Sequence, residues 1–197
     1  DYENALTDAE KVVSLKKDWA KGYSRKALAL HGLGRKDEAS VEMKNAGNIH
    51  FKKKDYQAAA KAFTEGLTMN PKNHVIYSNR SACFASLGNY RAALRDAEAC
   101  IEVEPEFAKG YTRAGAAHLA LCQFAEGIQV LQRGLTVDPA NETASELLNQ
   151  TFEKQKRAGL HLSSLFGQTL YQAQGMKPVS TENLSYRKRL AIYFSAH

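Results

Sequence analysis

The sequence predicts an all-α fold, a solenoid of antiparallel helix pairs closed by a C-terminal helix. Three observations carry that expectation. The chain has four prolines, Pro71, Pro105, Pro139 and Pro178, and the first three stand 34 residues apart. Aligned on that period, residues 40–73, 74–107 and 108–141 repeat one residue type at each of several positions. Short polar pairs, Lys54-Asp55, Gly88-Asn89 and Cys122-Gln123, fall midway through each repeat, where a turn between two helices belongs.

The elements follow in chain order. Residues 1–19 fit the second helix of a repeat, with Tyr2 and Ala5 in register, and residues 20–40 fit the first part of the next, including Tyr23 and Ala39. There the register breaks, since a full repeat needs about 14 more residues before Val41. Either residues 37–51 run as one merged helix, or a segment is missing at the 40/41 junction. The second arrangement is favoured, because Gly34-Arg35-Lys36-Asp37-Glu38-Ala39 is a normal start for a second helix that then stops. Residues 1–40 are thus expected to be partial repeats, the end of a preceding repeat unit, and residues 41–158 a three-repeat domain with its capping helix.

Within the three full repeats, position 4 reads Met43, Tyr77, Tyr111 and position 17 reads Tyr56, Tyr90, Phe124. Position 8 reads Gly47, Ser81, Gly115; position 20 reads Ala59, Ala93, Gly127; position 27 reads Gly66, Cys100, Gly134. Position 28 reads Leu67, Ile101, Leu135. Small residues let two helices approach and the bulky ones fill the space between them. The proline at position 32 follows the second helix, which it cannot continue. Residues 142–158, with Leu147, Leu148 and Phe152, read as the amphipathic capping helix. Gly159, Gly167, Gly175 and Pro178 are expected to break helices in the tail, residues 159–197, where residues 184–194 could form one more short helix.

Composition narrows the function classes. Across 197 residues, 44% are hydrophobic and 24% charged, values of a folded chain. No apolar run reaches the roughly 18 residues of a membrane span. Cys83, Cys100 and Cys122 lack the spacing of a disulfide framework or a zinc site. No secretory leader is evident, so a cytoplasmic location is expected, and the start at Asp1 and not Met leads to the expectation of a trimmed chain or a piece of something longer. The net charge of +6 is unevenly spread. Residues 1–150 hold 20 Lys+Arg and 19 Asp+Glu, while residues 151–197 hold 7 and 2. A body so nearly neutral lacks the basic stripe of a nucleic-acid reader.

The binding residues come from the first helix of each repeat, which lines the concave groove of such a solenoid. Lys44 and Asn48 lie four apart on one helix face, Asn79 follows in the next repeat, and Lys109 and Arg113 are again four apart. No carboxylate occupies an assignable groove-facing position. Two lysines, one arginine and two asparagines suit closely spaced carboxylates, since the cations give charge-assisted bonds and the amides donate without a counter-charge. A peptide C-terminus ending in Asp carries two carboxylates on one residue. No phosphate-binding loop, nucleophile elbow or paired histidine spacing occurs, so neither enzyme activity nor a cofactor or metal is expected. Cys83 and Cys100 read as packed core thiols.

The 34-residue pattern resembles the tetratricopeptide repeat, which implies a right-handed superhelix. The set Lys44-x-x-x-Asn48, Asn79 within Tyr77-Ser78-Asn79-Arg80-Ser81, and Lys109-x-x-x-Arg113 resembles the dicarboxylate clamp of co-chaperone repeat domains. Lys109-Gly110-Tyr111-Thr112-Arg113 and the earlier Lys21-Gly22-Tyr23-Ser24-Arg25 are most similar to the Hsp-organising, stress-inducible family. The resemblance covers roughly residues 1–150. It implies an adaptor that holds the Glu-Glu-Val-Asp C-termini of the seventy- and ninety-kilodalton heat-shock chaperones. Lys44, Asn48 and Asn79 would then hold the terminal main-chain carboxylate, and Lys109 and Arg113 the aspartate side chain and upstream groups. Lys21 and Arg25 form half of a second clamp. A repeat module of a larger phosphatase or peptidyl-prolyl isomerase, or an organelle import receptor, would use the same groove. The Asp-Pro-rich helical domain of that family has no counterpart in the tail, which contains no Asp-Pro.

Overall fold

The computed structural model describes residues 1–166, with side chains through residue 159. The described residues form helices and connecting turns, without a strand. In order these are α1 (Tyr2–Leu15), α2 (Ala20–Gly32), α3 (Lys36–Lys52), α4 (Tyr56–Met69), α5 (His74–Ser86), α6 (Tyr90–Val103), α7 (Ala108–Ala120), α8 (Phe124–Val137) and α9 (Glu142–Phe166). None of them is long and apolar enough to cross a membrane. Residues 1–149 pack as one compact unit, in which each helix contacts the next from α1 to α8 and α5 also contacts α3 and α7.

Local chemistry sets the helix ends. Asp55, Asn73 and Asn89 each accept the backbone N–H three residues on, capping α4, α5 and α6 at 3.1, 3.2 and 3.2 Å. The turn within each repeat reverses through one left-handed residue. Gly34 and Gly88 take it at φ 78° and 75°, and Lys54 and Cys122 take the same position at φ 60° and 58°. Lys54, Gly88 and Cys122 stand 34 residues apart, so the period appears in the backbone as well as in the side chains, and Gly34 takes the same place in the partial repeat before them. Glycine adopts this conformation freely, whereas a side chain there costs about 1–2 kcal/mol.

Close helix approach follows the size pattern. A Cβ on Gly47 would stand 2.5 Å from the Phe63 ring. One on Gly115 would meet Leu131, whose position in the register is the same as that of Phe63. In the middle repeat the pair is Ser81 and Ala97, both buried, and the Ser81 hydroxyl donates to the Ala93 carbonyl at 2.8 Å. Where one helix gives up volume the other supplies it. The largest buried groups, Phe63, Leu30, Met43, Ile76 and Leu131, are spread along the stack, as expected of a solenoid whose core lies between neighbours.

Across residues 40 and 41 the chain as given runs as one merged helix. α3 is a single helix of 17 residues. Ala39 and Met43 pack with Ala27 and Leu30 of α2, while Ala46 and Ile49 pack with Ala20 and Tyr23 near the start of α2 and with Ala62 of α4. One helix thus serves as the second helix of one pair and the first of the next, because its two faces carry both sets of small apolar residues. Lys26 of α2 fixes the joint, 2.9 Å from Glu42 and 3.7 Å from Glu10. These two carboxylates raise its ammonium pKa, the Glu42 hydrogen bond most strongly.

α9 opens on Asn141, which accepts from the Ala144 N–H at 3.0 Å, and runs past Gly159 to Phe166. Gly159 therefore does not end the helix as expected; one glycine in a helix interior costs only about 1 kcal/mol relative to alanine. Gly167, Gly175, Pro178 and the predicted helix at 184–194 lie outside the described residues.

Candidate functional site

The five predicted residues stand on α3, α5 and α7, the helices that touch one another in sequence along the unit. Their positions follow from what each helix buries. On α3, Met43, Ala46 and Gly47 face the core, which leaves Lys44 and Asn48 half-buried on a common edge one turn apart. On α5, Ser78, Ser81 and Ala82 are buried and Asn79 is half-buried beside them. On α7, Gly110, Tyr111 and Ala114 are buried, so that Lys109 and Arg113 share the adjoining edge.

Direct contacts tie part of the set together. The Asn79 side-chain amide donates to the Asn48 side-chain carbonyl at 3.1 Å, bridging α5 to α3. That bond satisfies the Asn48 acceptor and leaves amide N–H groups on both residues to offer elsewhere. Arg113 is half-buried, and its Nε is buried with no hydrogen-bond partner among the described residues. Burial lowers its guanidinium pKa. Lys109 is exposed, but the surrounding protein strips part of its hydration and lowers its pKa, and the nearby Arg113 charge adds to the effect. Beneath them the Cys83 thiol is pushed up to about 12 by burial, against the opposing pull of Arg113. A neutral thiol offers Arg113 no counter-charge. Lys44 is placed by α3 alone.

None of Lys44, Lys109 and Arg113 has a carboxylate within 4 Å among the described residues. Helices α3, α5 and α7 thus carry two ammoniums, a guanidinium and a linked amide pair with no described carboxylate within 4 Å of the three cations. Chemically such a set can accept anions. Cys100, the other buried thiol, is raised to about 11 by burial and lies 3.2 Å from the His74 carbonyl. No group of three or more His, Cys, Asp or Glu side chains suited to a metal occurs among the described residues.

Lys21 and Arg25 are placed apart from this set. Both are exposed on α2, and the Arg25 guanidinium lies 5.7 Å over the Trp19 ring. α2 packs antiparallel on α3, since Ala20 meets Ala46 and Leu30 meets Ala39.

Sequence reasoning missed Arg80 and Asp96. Arg80 donates through Nε and Nη2 to both Asp96 oxygens at 2.7 Å and through Nη1 to the Thr64 hydroxyl at 2.9 Å. It also lies 5.8 Å over the rings of Tyr77 and Phe84. This fork joins α4, α5 and α6 and fixes the rotation of α5, and hence the aim of Asn79. The available signal was Asp96 itself, an acid on the helix face otherwise formed by Ala92, Ala93, Ala97 and Cys100.

Residues 40–73 match the family model for the tetratricopeptide repeat. The chain is 40% identical over 130 residues to heat shock protein STI1 of Saccharomyces cerevisiae, covering 64% of this chain and 22% of that protein. It is 46% identical over 149 residues to Hsp70-Hsp90 organizing protein 2 of Arabidopsis thaliana, covering 73% of this chain and 25% of that one. It therefore spans about a quarter or less of these relatives. Among solved structures, the TPR2B domain of yeast Sti1 in complex with an Hsp70 peptide aligns with TM-score 0.56 at 27% identity, over 58% of this chain and 97% of that one. The first TPR domain of Spaghetti (RPAP3) bound to the HSP90 peptide SRMEEVD aligns with TM-score 0.57 at 28% identity, over 58% and 91%. By its repeat register and fold the chain is a tetratricopeptide-repeat solenoid, and it is similar to the Hsp-organising, Sti1-like proteins.

Proposed function

We propose that the chain is a non-enzymatic co-chaperone adaptor of the cytoplasm whose groove captures the acidic C-terminal peptide of heat-shock chaperones of the seventy- and ninety-kilodalton classes. The observation that carries this reading is the unneutralised cation set, above all Arg113, whose buried Nε has no hydrogen-bond partner among the described residues. Such a group favours a ligand that brings its own carboxylate. Asn48 and Asn79, already linked, offer N–H groups to the terminal main-chain carboxylate beside Lys44, while Lys109 and Arg113 take the aspartate side chain and upstream groups. Similar domains solved with HSP90 and Hsp70 peptides support the assignment.

Each charged hydrogen bond contributes roughly 1.5–3 kcal/mol before ordering costs, so a short peptide should bind near −8 kcal/mol, about micromolar. Calorimetry with SRMEEVD tests this. Amidation of the peptide terminus should abolish the heat, and Lys44→Ala should weaken binding by about 2–5 kcal/mol. Full affinity for the amidated peptide would sink the clamp assignment.

A further inference from the structure

The face that α5 buries is built mostly of small groups. Ser78, Ser81, Ala82 and Cys83 are small, and Ile76 is the large one among them. At the register position where α3 and α7 bury Met43 and Tyr111, α5 carries Tyr77, which is only half-buried. A face of small groups has few contacts that a slight rotation would break, so polar contacts must set the rest. The Ser81 hydroxyl supplies one, donating to the Ala93 carbonyl at 2.8 Å. Arg80 supplies the others and reaches two helices at once. Its Nε and Nη2 donate to the two Asp96 oxygens of α6 at 2.7 Å, and its Nη1 donates to the Thr64 hydroxyl of α4 at 2.9 Å. Thr64 itself donates to the Ala60 carbonyl at 2.8 Å, which orients its oxygen as the acceptor for Arg80. The Arg80 and Asp96 side chains are withdrawn from water, at 17% and 8% exposure. The same guanidinium covers the Tyr77 and Phe84 rings, one turn to either side on α5.

Asn79 precedes Arg80 in the chain, about 100° round the helix, and donates to Asn48 of α3 at 3.1 Å. Arg80 thus ties α5 to α4 and α6 while Asn79 reaches across to α3. A preorganised site tolerates a misalignment of about 10–20°, and a rotation of α5 beyond that carries the Asn79 amide out of line. Lys109 and Arg113 stand on α7, to which the Arg80 fork makes no bond.

We propose that Arg80, Asp96 and Thr64 are positioning residues for the half of the clamp that holds the terminal main-chain carboxylate, acting through Asn79 and leaving the Lys109–Arg113 half unaffected. The proposal rests on the clamp reading above. The test is a pair of double-mutant cycles, read by calorimetry on the full chain with SRMEEVD at a temperature where circular dichroism shows every variant folded. Asp96→Asn keeps the shape of the acid and removes the charge and one arm of the fork, so it should weaken the peptide about five- to tenfold. In an Asn79→Ala background the same change should cost less than about twofold, because the amide it aims is gone. In a Lys109→Ala background it should again cost about five- to tenfold. Thr64→Val, an exposed and milder change that removes only the Nη1 acceptor, should repeat the pattern at about two- to threefold and keeps the test open if Asp96→Asn does not fold. Equal losses in the two backgrounds overturn the positioning role. A lower melting temperature with unchanged affinity in both Asp96→Asn and Thr64→Val also overturns it and leaves the fork as a tie for the fold alone. An Asn79→Ala chain that binds SRMEEVD as tightly as the parent overturns the clamp reading itself.

Discussion

Arg113→Met separates binding from stability. In the free chain the Arg113 Nε is buried with no partner among the described residues, and burial pulls the guanidinium pKa down. A buried donor left unpaired costs about 1–3 kcal/mol. Methionine keeps most of the apolar stem and removes the donor, so the free domain should gain about 1–2 kcal/mol, or about 2–6 °C in Tm for a unit of this size. Binding should move the other way. Losing the fork leaves a ligand carboxylate without its partner and weakens the peptide by about 2–5 kcal/mol, at least thirtyfold in Kd. Arg113→Lys should fall between, keeping the charge and losing the fork. Thermal melts with and without SRMEEVD, beside calorimetry, read both quantities. A lower melting temperature for Arg113→Met together with unchanged peptide affinity would refute the reasoning, because the guanidinium would then be holding the fold.

Three further outcomes follow from the same geometry. The Lys109 pKa is lower folded than unfolded, so between the two values the unfolded chain binds more protons and stability rises with pH. Peptide affinity should fall over that alkaline window as the ammonium is lost, and Lys109→Met should flatten both trends in pH-dependent melts and titrations. Lys54→Gly should stabilise by about 0.5–1 kcal/mol in urea unfolding, since it relieves a left-handed side chain at φ 60° but loosens the unfolded chain. Gly47→Ala should destabilise by about 1–3 kcal/mol, because its Cβ would stand 2.5 Å from the buried Phe63 ring; an unchanged urea midpoint would mean that the ring can step aside.

The period of 34 made most of the fold legible. It placed the helix pairs, the small residues at Gly47 and Gly115, and the turns at Gly88 and Cys122, because stacking in a solenoid is local and every repeat must solve the same packing problem. It breaks where two repeats meet in one helix. α3 runs through residues 40 and 41 because Ala39 and Met43 serve one neighbour while Ala46 and Ile49 serve others. A register counted from one repeat cannot see a helix that belongs to two. The clamp candidates were also legible, since spacing four on a helix guarantees a shared edge. The Asn48–Asn79 bond and the stranded Arg113 Nε were not, because both depend on distances between helices. Arg80 and Asp96 were hidden for the same reason, being 16 residues apart and meeting only after α5 and α6 pack.

The contrast between Arg80 and Arg113 bears most directly on function. Both lie on first helices of adjacent repeats, one position apart in the register, and both are partly withdrawn from water. Arg80 meets a carboxylate with both arms of its fork, a hydroxyl and two aromatic faces, which is how a buried arginine is made stable. Arg113 faces a thiol too high in pKa to carry charge and, among the described residues, has no carboxylate within 4 Å. A fold able to supply Asp96 to the one could have supplied an acid to the other. A buried Nε without a partner costs stability in the free state, and under the proposed function a ligand carboxylate would recover that cost. The unpaired guanidinium is therefore the strongest structural argument for an anionic ligand, and Lys44, Lys109 and the linked asparagines define where its charges would sit.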